Sequence, residues 1–265
     1  MARAARHSPA ITSLITSLVR SLVRSLNNSL IRGTGKARFL SPLCWGVTLD
    51  PPEFVPRCPA LIHLDDSLIV VDKPAGLLAV PGRGPDKADC VSARLQARYA
   101  DALVVHRLDM ATSGLMLLAR GPEMQRRLSQ AFAARTVDKR YTAVVAGLLA
   151  ADAGEIDLAL GADWPNRPRQ QVDAARGKPS LTRWQVLSRD ALHGSTRLAL
   201  QPETGRTHQL RVHLSAIGHA ILGDALYAST QVAAAAPRLL LHASRLALAH
   251  PVTGTPLDLR SEPPF

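Results

Sequence analysis

At 265 residues with 46% hydrophobic content, the chain is long enough to bury a sizeable core and too apolar to be disordered throughout. No run reaches the roughly 18 apolar residues a membrane-spanning helix requires, because Arg, Lys or Asp interrupts every candidate. The net charge of +11 points toward a polyanion, but seven of the cations (Arg3, Arg6, Arg20, Arg24, Arg32, Lys36, Arg38) precede the first acid, Asp50; without those seven, +4 remains, which is compatible with RNA and not diagnostic of it.

In chain order, residues 13–30 repeat Ser-Leu every four residues. That period differs from the helical one, so the leucines drift around a helix instead of forming a stripe. Residues 1–58 read as a low-complexity basic extension, disordered and not carrying the chemistry, although an Arg- and Ser-rich segment without acids also resembles an organellar presequence.

The body, residues 59–265, opens on the apolar strand Leu68-Ile-Val-Val-Asp72, stopped by the turn Lys73-Pro-Ala-Gly76. Residues 102–108 and 115–119 read as strands. Residues 123–135 read as a helix, with Met124, Leu128, Ala131 and Phe132 at i, i+4, i+7 and i+8. Strands follow at 141–145 and 181–187, separated by a polar loop over 150–179 that contains Trp164-Pro-Asn-Arg-Pro168. A strand at 196–200, the turn Pro202-Glu-Thr-Gly205, a helix from Thr207 to Ile217, and strands at 239–242 and 246–250 complete the order. Strands and helices do not alternate regularly and no Gly-x-Gly-x-x-Gly follows the first strand, which favours an α+β fold over a nucleotide-cofactor domain. Cys44, Cys58 and Cys90 are odd in number and lack metal-ligand spacing; they fit a reducing compartment, with neither disulfide framework nor zinc knuckle.

Three segments carry residues suited to chemistry. His106-Arg-Leu-Asp-Met-Ala-Thr-Ser-Gly114 places a base, a guanidinium and an acid at the end of a strand, where Asp109 either faces a cleft or merely bonds the turn's own N–H groups. Asp138-Lys-Arg-Tyr-Thr142 sets an aromatic ring behind a cationic cluster, either to stack on a base or to cap the core edge. Gly205-Arg-Thr-His-Gln-Leu-Arg-Val-His213 starts a helix whose Leu210, Leu214 and Ile217 mark a buried face. Thr207, His208, Arg211 and Ser215 share the other face, which is either aimed into a cleft or solvated.

In this order the three segments resemble the motifs of RluA-type pseudouridine synthases, from about Leu61 to Phe265. The resemblance implies a mixed, largely antiparallel central sheet in two strand-rich halves flanked by helices, with the active-site cleft between them. Many relatives carry an additional S4 RNA-binding domain, but residues 1–58 neither look like one nor provide its usual folded length, so no S4 domain is expected. It implies isomerisation of uridine to pseudouridine without cofactor or metal. Asp109 takes the place of the nucleophile, Tyr141 that of the ring packing on the base, and Arg211 that of the carboxylate's partner. His106, Thr112, Lys139, Arg206 and His208 fall among the substrate-binding positions, Leu240 at an apolar pocket position, and Arg107 where relatives insert a side chain for the extruded base. Trp164-Pro-Asn-Arg-Pro-Arg-Gln170 and Gly218-His-Ala-Ile-Leu-Gly-Asp224 resemble members that modify a loop uridine of large-subunit ribosomal RNA and one in the transfer RNA anticodon arm. The implied partner is RNA in stem-loops, with no membrane and no obligatory protein partner, in the cytoplasm unless the N-terminus addresses an organelle.

The chemistry fits those residue types. An ionised Asp109 can attack the sugar or the ring, or remove a sugar proton, and a nearby Arg211 favours its charged form. A stacked uridine must first be flipped out, which costs least in loops. Two other classes remain. A nucleosidase or glycosidase requires a second carboxylate, and the nearest to the Arg211 motif is Glu203. A non-catalytic RNA-binding or ribosome-assembly factor would use the cations and Tyr141 but would gain nothing from a carboxylate facing phosphates. His208 and His213, five apart, would diverge on a helix and make a poor metal pair.

Overall fold

The computed structural model describes residues 59–265, so the expectations for residues 1–58 lie outside the described residues. At the centre of the first half, strands β2 (Leu68–Lys73) and β4 (Ser113–Arg120) pair antiparallel. Neither alternates polar with apolar residues, because both faces are covered. The two-residue period sends Leu68, Val70, Leu115 and Leu117 to one face and Ile69, Val71, Met116 and Leu118 to the other. Helix α1 (Val91–Gln96) covers the second face with Val91 and Leu95, and α2 (Gly121–Ala133) covers the first with Leu128, Met124, Ala131 and Phe132. Each fully buried Leu or Ile stabilises this half by about 1.5–3 kcal/mol. The edge strand β1 (Ala60–Leu64) pairs with β2, and β3 (Ala102–Val104) with the end of β4.

In the second half, β5 (Asp138–Ala146), β10 (Ser195–Pro202), β9 (Leu181–Asp190) and β6 (Ala153–Asp157) are antiparallel neighbours in that order. Helix α3 (Gln209–Ala216) packs Leu210 and Leu214 into one cluster with Ala143, Val145, Leu198 and Leu200. Strand β11 (Leu241–Ala249) joins the halves, antiparallel to β5 along its length and parallel to β4 through His242–Ser113 and Ala243–Gly114. That junction demands glycine: Gly114 has a φ of +111°, and a Cβ there would collide with the Ala243 backbone. Strand β12 (Pro256–Arg260) pairs with the rest of β11, a hairpin of β7 (Leu160–Ala162) and β8 (Gln170–Val172) stands apart, and α4 (Thr230–Ala234) precedes β11. The result is the expected mixed, largely antiparallel sheet, with β4–β11 as the parallel pair among the described strands.

Several expected elements need correction. The strand placed at 102–108 ends at Val104, because the next residues turn away to form the Asp109 loop. The strands placed at 239–242 and 246–250 are one strand, its apolar rhythm broken by a register shift between Ala243 and Arg245. The loop placed at 150–179 contains β6 and the β7–β8 hairpin. The helix placed from Thr207 starts at Gln209, since His208 is left-handed, and Ile217, expected in the buried face, is 38% exposed. Of its expected polar face, Arg211 is buried, His208 and Ser215 are half-buried and Thr207 is exposed, while Gln209 and His213, outside that face, are also buried; Gln209, Arg211 and His213 each find polar partners inside. Among the described residues no helix is long and apolar enough to cross a membrane.

Candidate active site

Residues 106–112 cross from β3 to β4 and are pinned on both sides of Asp109. The His106 ring stacks on Phe132 at 4.6 Å and its Nε2 accepts a 2.9 Å hydrogen bond from Leu117 N, while Leu108 enters the core. On the far side, the Met110 carbonyl accepts from Gly76 N at 2.8 Å and from Lys73 Nζ at 3.0 Å. Lys73 is fully buried and gives its other donors to the carbonyls of Pro74 and Leu77, so a buried ammonium clasps the β2 turn to the Asp109 loop. Burial lowers its pKa to about 8; the Asp109 charge opposes that shift and Arg238 adds to it. Between these anchors the Asp109 side chain is 26% exposed, at the floor of a cleft of about 860 Å³.

The floor is continued by α3. Arg211, 4% exposed, donates from Nε and NH2 to the two oxygens of Asp224 at 2.8 and 2.7 Å, and its NH1 lies 3.4 Å from Asp109 Oδ2. Burial alone would push the Asp224 carboxyl up. The Arg211 hydrogen bonds and charge, with the N–H groups of Leu226 and Tyr227, more than offset it and hold the carboxyl below its usual range. Gly223 makes room for this segment: its φ is +76°, and a Cβ would strike the Arg238 carbonyl. His208 Nε2 lies 3.8 Å from Asp109 Oδ2, and its Nδ1 lies 2.6 Å from the Tyr227 hydroxyl.

Tyr141 enters from β5, packed against the clusters of both halves, and burial ahead of the Asp109 charge pushes its hydroxyl pKa up, so the ring stays neutral. The mouth is cationic. Arg107 and Arg206 are exposed, Arg135 sits beside them, and Lys139 is half-buried, its pKa lowered chiefly by burial. Of the ten residues expected at the site, nine line this one cleft: Asp109, Tyr141, Arg211, Arg107, His106, Thr112, Lys139, Arg206 and His208. The exception is Leu240, which precedes β11, bonds Leu222 and Val144 through its backbone and packs against the second-half core; its neighbour Leu241 lines the cleft instead. His106 is an anchor as well as wall, because one ring nitrogen is committed to Leu117 and burial, with Lys139, lowers its pKa to about 4.

Sequence reasoning gave no role to Lys73, Asp224 or Tyr227. The Gly218–Asp224 stretch carried a signal, but only the fold shows that Asp224 binds Arg211. Among the described residues no three His, Cys, Asp or Glu side chains gather in a metal-holding arrangement.

A carboxylate on the floor, a flat ring and a leucine for walls, and cations at the mouth suit a planar ring tethered to phosphates, the arrangement expected of an enzyme that modifies bases in a nucleic acid. The sequence profile of the RNA pseudouridylate synthase family matches residues 67–216. The chain is similar to the dual-specificity RNA pseudouridine synthase RluA of Yersinia pestis, 49% identical over 205 residues that cover 77% of this chain and 99% of that protein. It is 45% identical to the protein of the same name from Escherichia coli (strain K12), covering 77% and 93%. Among solved structures, human RNA pseudouridylate synthase domain containing 1 matches with a TM-score of 0.66 at 27% identity, covering 82% of this chain and 87% of that one. Domain containing 4 matches with 0.62 at 28%, covering 77% and 88%. The chain belongs to the RNA pseudouridylate synthase family, and it is an isomerase acting on uridine in RNA.

Proposed function

We propose that this enzyme converts uridine to pseudouridine in stem-loops of large-subunit ribosomal RNA and of the transfer RNA anticodon arm, with Asp109 as nucleophile. The observation that carries the assignment of Asp109 is its contact with buried Arg211 at the floor of a cleft that also holds Tyr141. Two relatives named as dual-specificity enzymes, similar over more than nine-tenths of their length, support action on two kinds of RNA; that they are these two rests on the resemblance of Trp164–Gln170 and Gly218–Asp224 to members with those targets.

In the reaction the bond from the ring nitrogen to the ribose breaks, the ring turns, and a bond from ring carbon to ribose forms. That carbon loses a proton and the freed nitrogen gains one, so nothing is oxidised or reduced. The flipped base packs on Tyr141 and Leu241, Arg211 holds the Asp109 carboxylate, and Arg107, Lys139 and Arg206 hold phosphates around the vacated stack. The work is cytoplasmic, where both RNAs are present, and the catalytic body recognises RNA with the cleft itself.

The test is position-resolved pseudouridine mapping of unmodified transfer RNA and large-subunit ribosomal RNA after incubation with wild type and Asp109→Asn. Pseudouridine made by wild type alone is expected, with RNA affinity retained in the variant. Turnover by Asp109→Asn would remove the nucleophile from Asp109. Free uracil as product would make the enzyme a hydrolase.

A further inference from the structure

His208 holds a backbone conformation that side chains avoid. It is left-handed at φ +54° and ψ +16°, and its side chain makes no capping bond to α3. Strain retained beside a reacting group aims something. Here the ring is aimed at Asp109: Nε2 lies 3.8 Å from Oδ2, the oxygen that Arg211 approaches at 3.4 Å, while no hydrogen bond from a described residue reaches Oδ1. The other ring nitrogen, Nδ1, lies 2.6 Å from the Tyr227 hydroxyl. That hydroxyl already accepts from Gln170 N at 2.8 Å, so its own proton needs an acceptor, and Nδ1 is the one the described residues supply. A neutral ring bonded in this way carries its proton on Nε2, facing Asp109.

We propose that His208 is a positioning residue: with Arg211 it holds Oδ2 of Asp109 and leaves Oδ1 as the reacting oxygen, while Tyr227 fixes the tautomer this requires. The proposal rests on the reading of Asp109 as nucleophile. The groups facing the ring are Asp109 from the β3–β4 loop, Arg211 from α3, and Asp224 and Tyr227 from the segment after α3. Burial leads in favouring the neutral ring, Arg211 acts with it, and Asp109 and Asp224 act against it. At 3.8 Å the contact is longer than a hydrogen bond, but catalytic hydrogen bonds are often long in the free enzyme and close only in the complex. The link also reaches the cleft wall, because Gln170 starts β8 two residues after Pro168. Contact of RNA with that hairpin is thereby one hydrogen bond from the tautomer lock.

The experiment has two arms, both on the full chain. In nitrogen-15 NMR of histidine-labelled enzyme, assigned by loss of the His208→Gln signal, the ring is expected as the Nε2–H tautomer at pH 7. An imidazolium or an Nδ1–H tautomer overturns the proposal. In turnover on a substrate RNA, His208→Phe is expected to lose on the order of 10- to 100-fold in kcat with KM within about threefold. His208→Gln, whose amide can donate along the same line, is expected to recover roughly tenfold of that loss. Equal losses in the two variants, or a loss confined to KM, overturn it. Tyr227→Phe removes the proton that holds Nδ1, so the acid limb of kcat against pH moves to higher pH; an unmoved limb overturns the lock. Wild type that makes no pseudouridine defeats the functional reading first, a failure visible before any variant is compared.

Discussion

The cations behind Asp109 and those in front of it are treated in opposite ways. Behind it, Arg211 and Lys73 are buried, Arg211 spends two donors on Asp224, and Lys73 spends its three on carbonyls. In front, among the described residues, Arg107 and Arg135 have no ion pair and the Arg206 side chain makes only a 3.4 Å contact to the Pro179 carbonyl. Away from the cleft, arginines are commonly neutralised, as Arg120 is by Asp101, Arg183 by Glu155 and Glu203, and Arg245 by Asp138 and Asp258. Cations that must fix geometry are matched locally, because an unmatched buried charge costs several kcal/mol. Cations that must attract a polyanion are left unmatched, because a counter-charge would cancel the field RNA feels.

The sharpest way to break this comparison is to unmatch a buried cation. Asp224→Ala leaves Arg211 with Asp109 as its remaining counter-charge, at 3.4 Å. We expect denaturant melts to lose about 3 kcal/mol and turnover to fall by roughly two orders of magnitude, since the guanidinium then collapses onto the carboxylate it should only steady. The stabilisation from Asp224 is present above the ordinary carboxylate pKa and is lost as pH falls through its depressed folded value, so the variant should also lose that acid sensitivity. A variant as stable as wild type would show that the pair contributes nothing net.

Lys73 gives the next largest effect, and its sign can be worked out. The folded pKa of about 8 lies below the ordinary 10.5. Below pH 8 both states hold the proton and the folded one bears the burial cost in full. Between pH 8 and 10.5 the unfolded chain still holds it while the folded protein releases it, so folding gains stability as pH rises. Against Lys73→Met, the stability of wild type should therefore climb by about 3 kcal/mol across that window. A flat difference would mean that the three carbonyls keep the proton on.

The same contrast explains what was legible in the sequence. Asp109, Tyr141 and Arg211 could be read because each sits in a contiguous motif whose residue types make sense together. Lys73, Asp224 and Tyr227 could not, because their roles arise from contacts between distant segments: a lysine at a Pro-Gly turn looks solvated until the Met110 loop closes over it. Helical periodicity failed on α3 for a related reason. It sorts residues by polarity, and it cannot know that Asp224 and Thr182 wait inside to satisfy Arg211, Gln209 and His213. The apolar cleft position was read one residue early, at Leu240, because three consecutive leucines (Leu239, Leu240, Leu241) carry no local signal of which one lines the cleft. The strand order itself was beyond local reading, since β11 connects to β4 across more than a hundred residues.

The smallest expected effects lie at the mouth, where they separate attraction from geometry. Arg206→Ala removes one unmatched cation, so RNA binding should weaken a few-fold near physiological salt, and the slope of log affinity against log salt should fall by about 0.7 to 1. The loss should appear mostly in KM, because Arg206 touches neither Asp109 nor its supports. Arg245→Ala is the matched control: its guanidinium is held by Asp138 and Asp258, so it adds little to the field and its removal should leave the salt slope in place. If Arg245→Ala lowered the slope as much as Arg206→Ala, pairing would not distinguish cations that bind RNA from those that hold the fold. An effect at Arg206 alone would locate the RNA path by which charges the protein leaves unpaired.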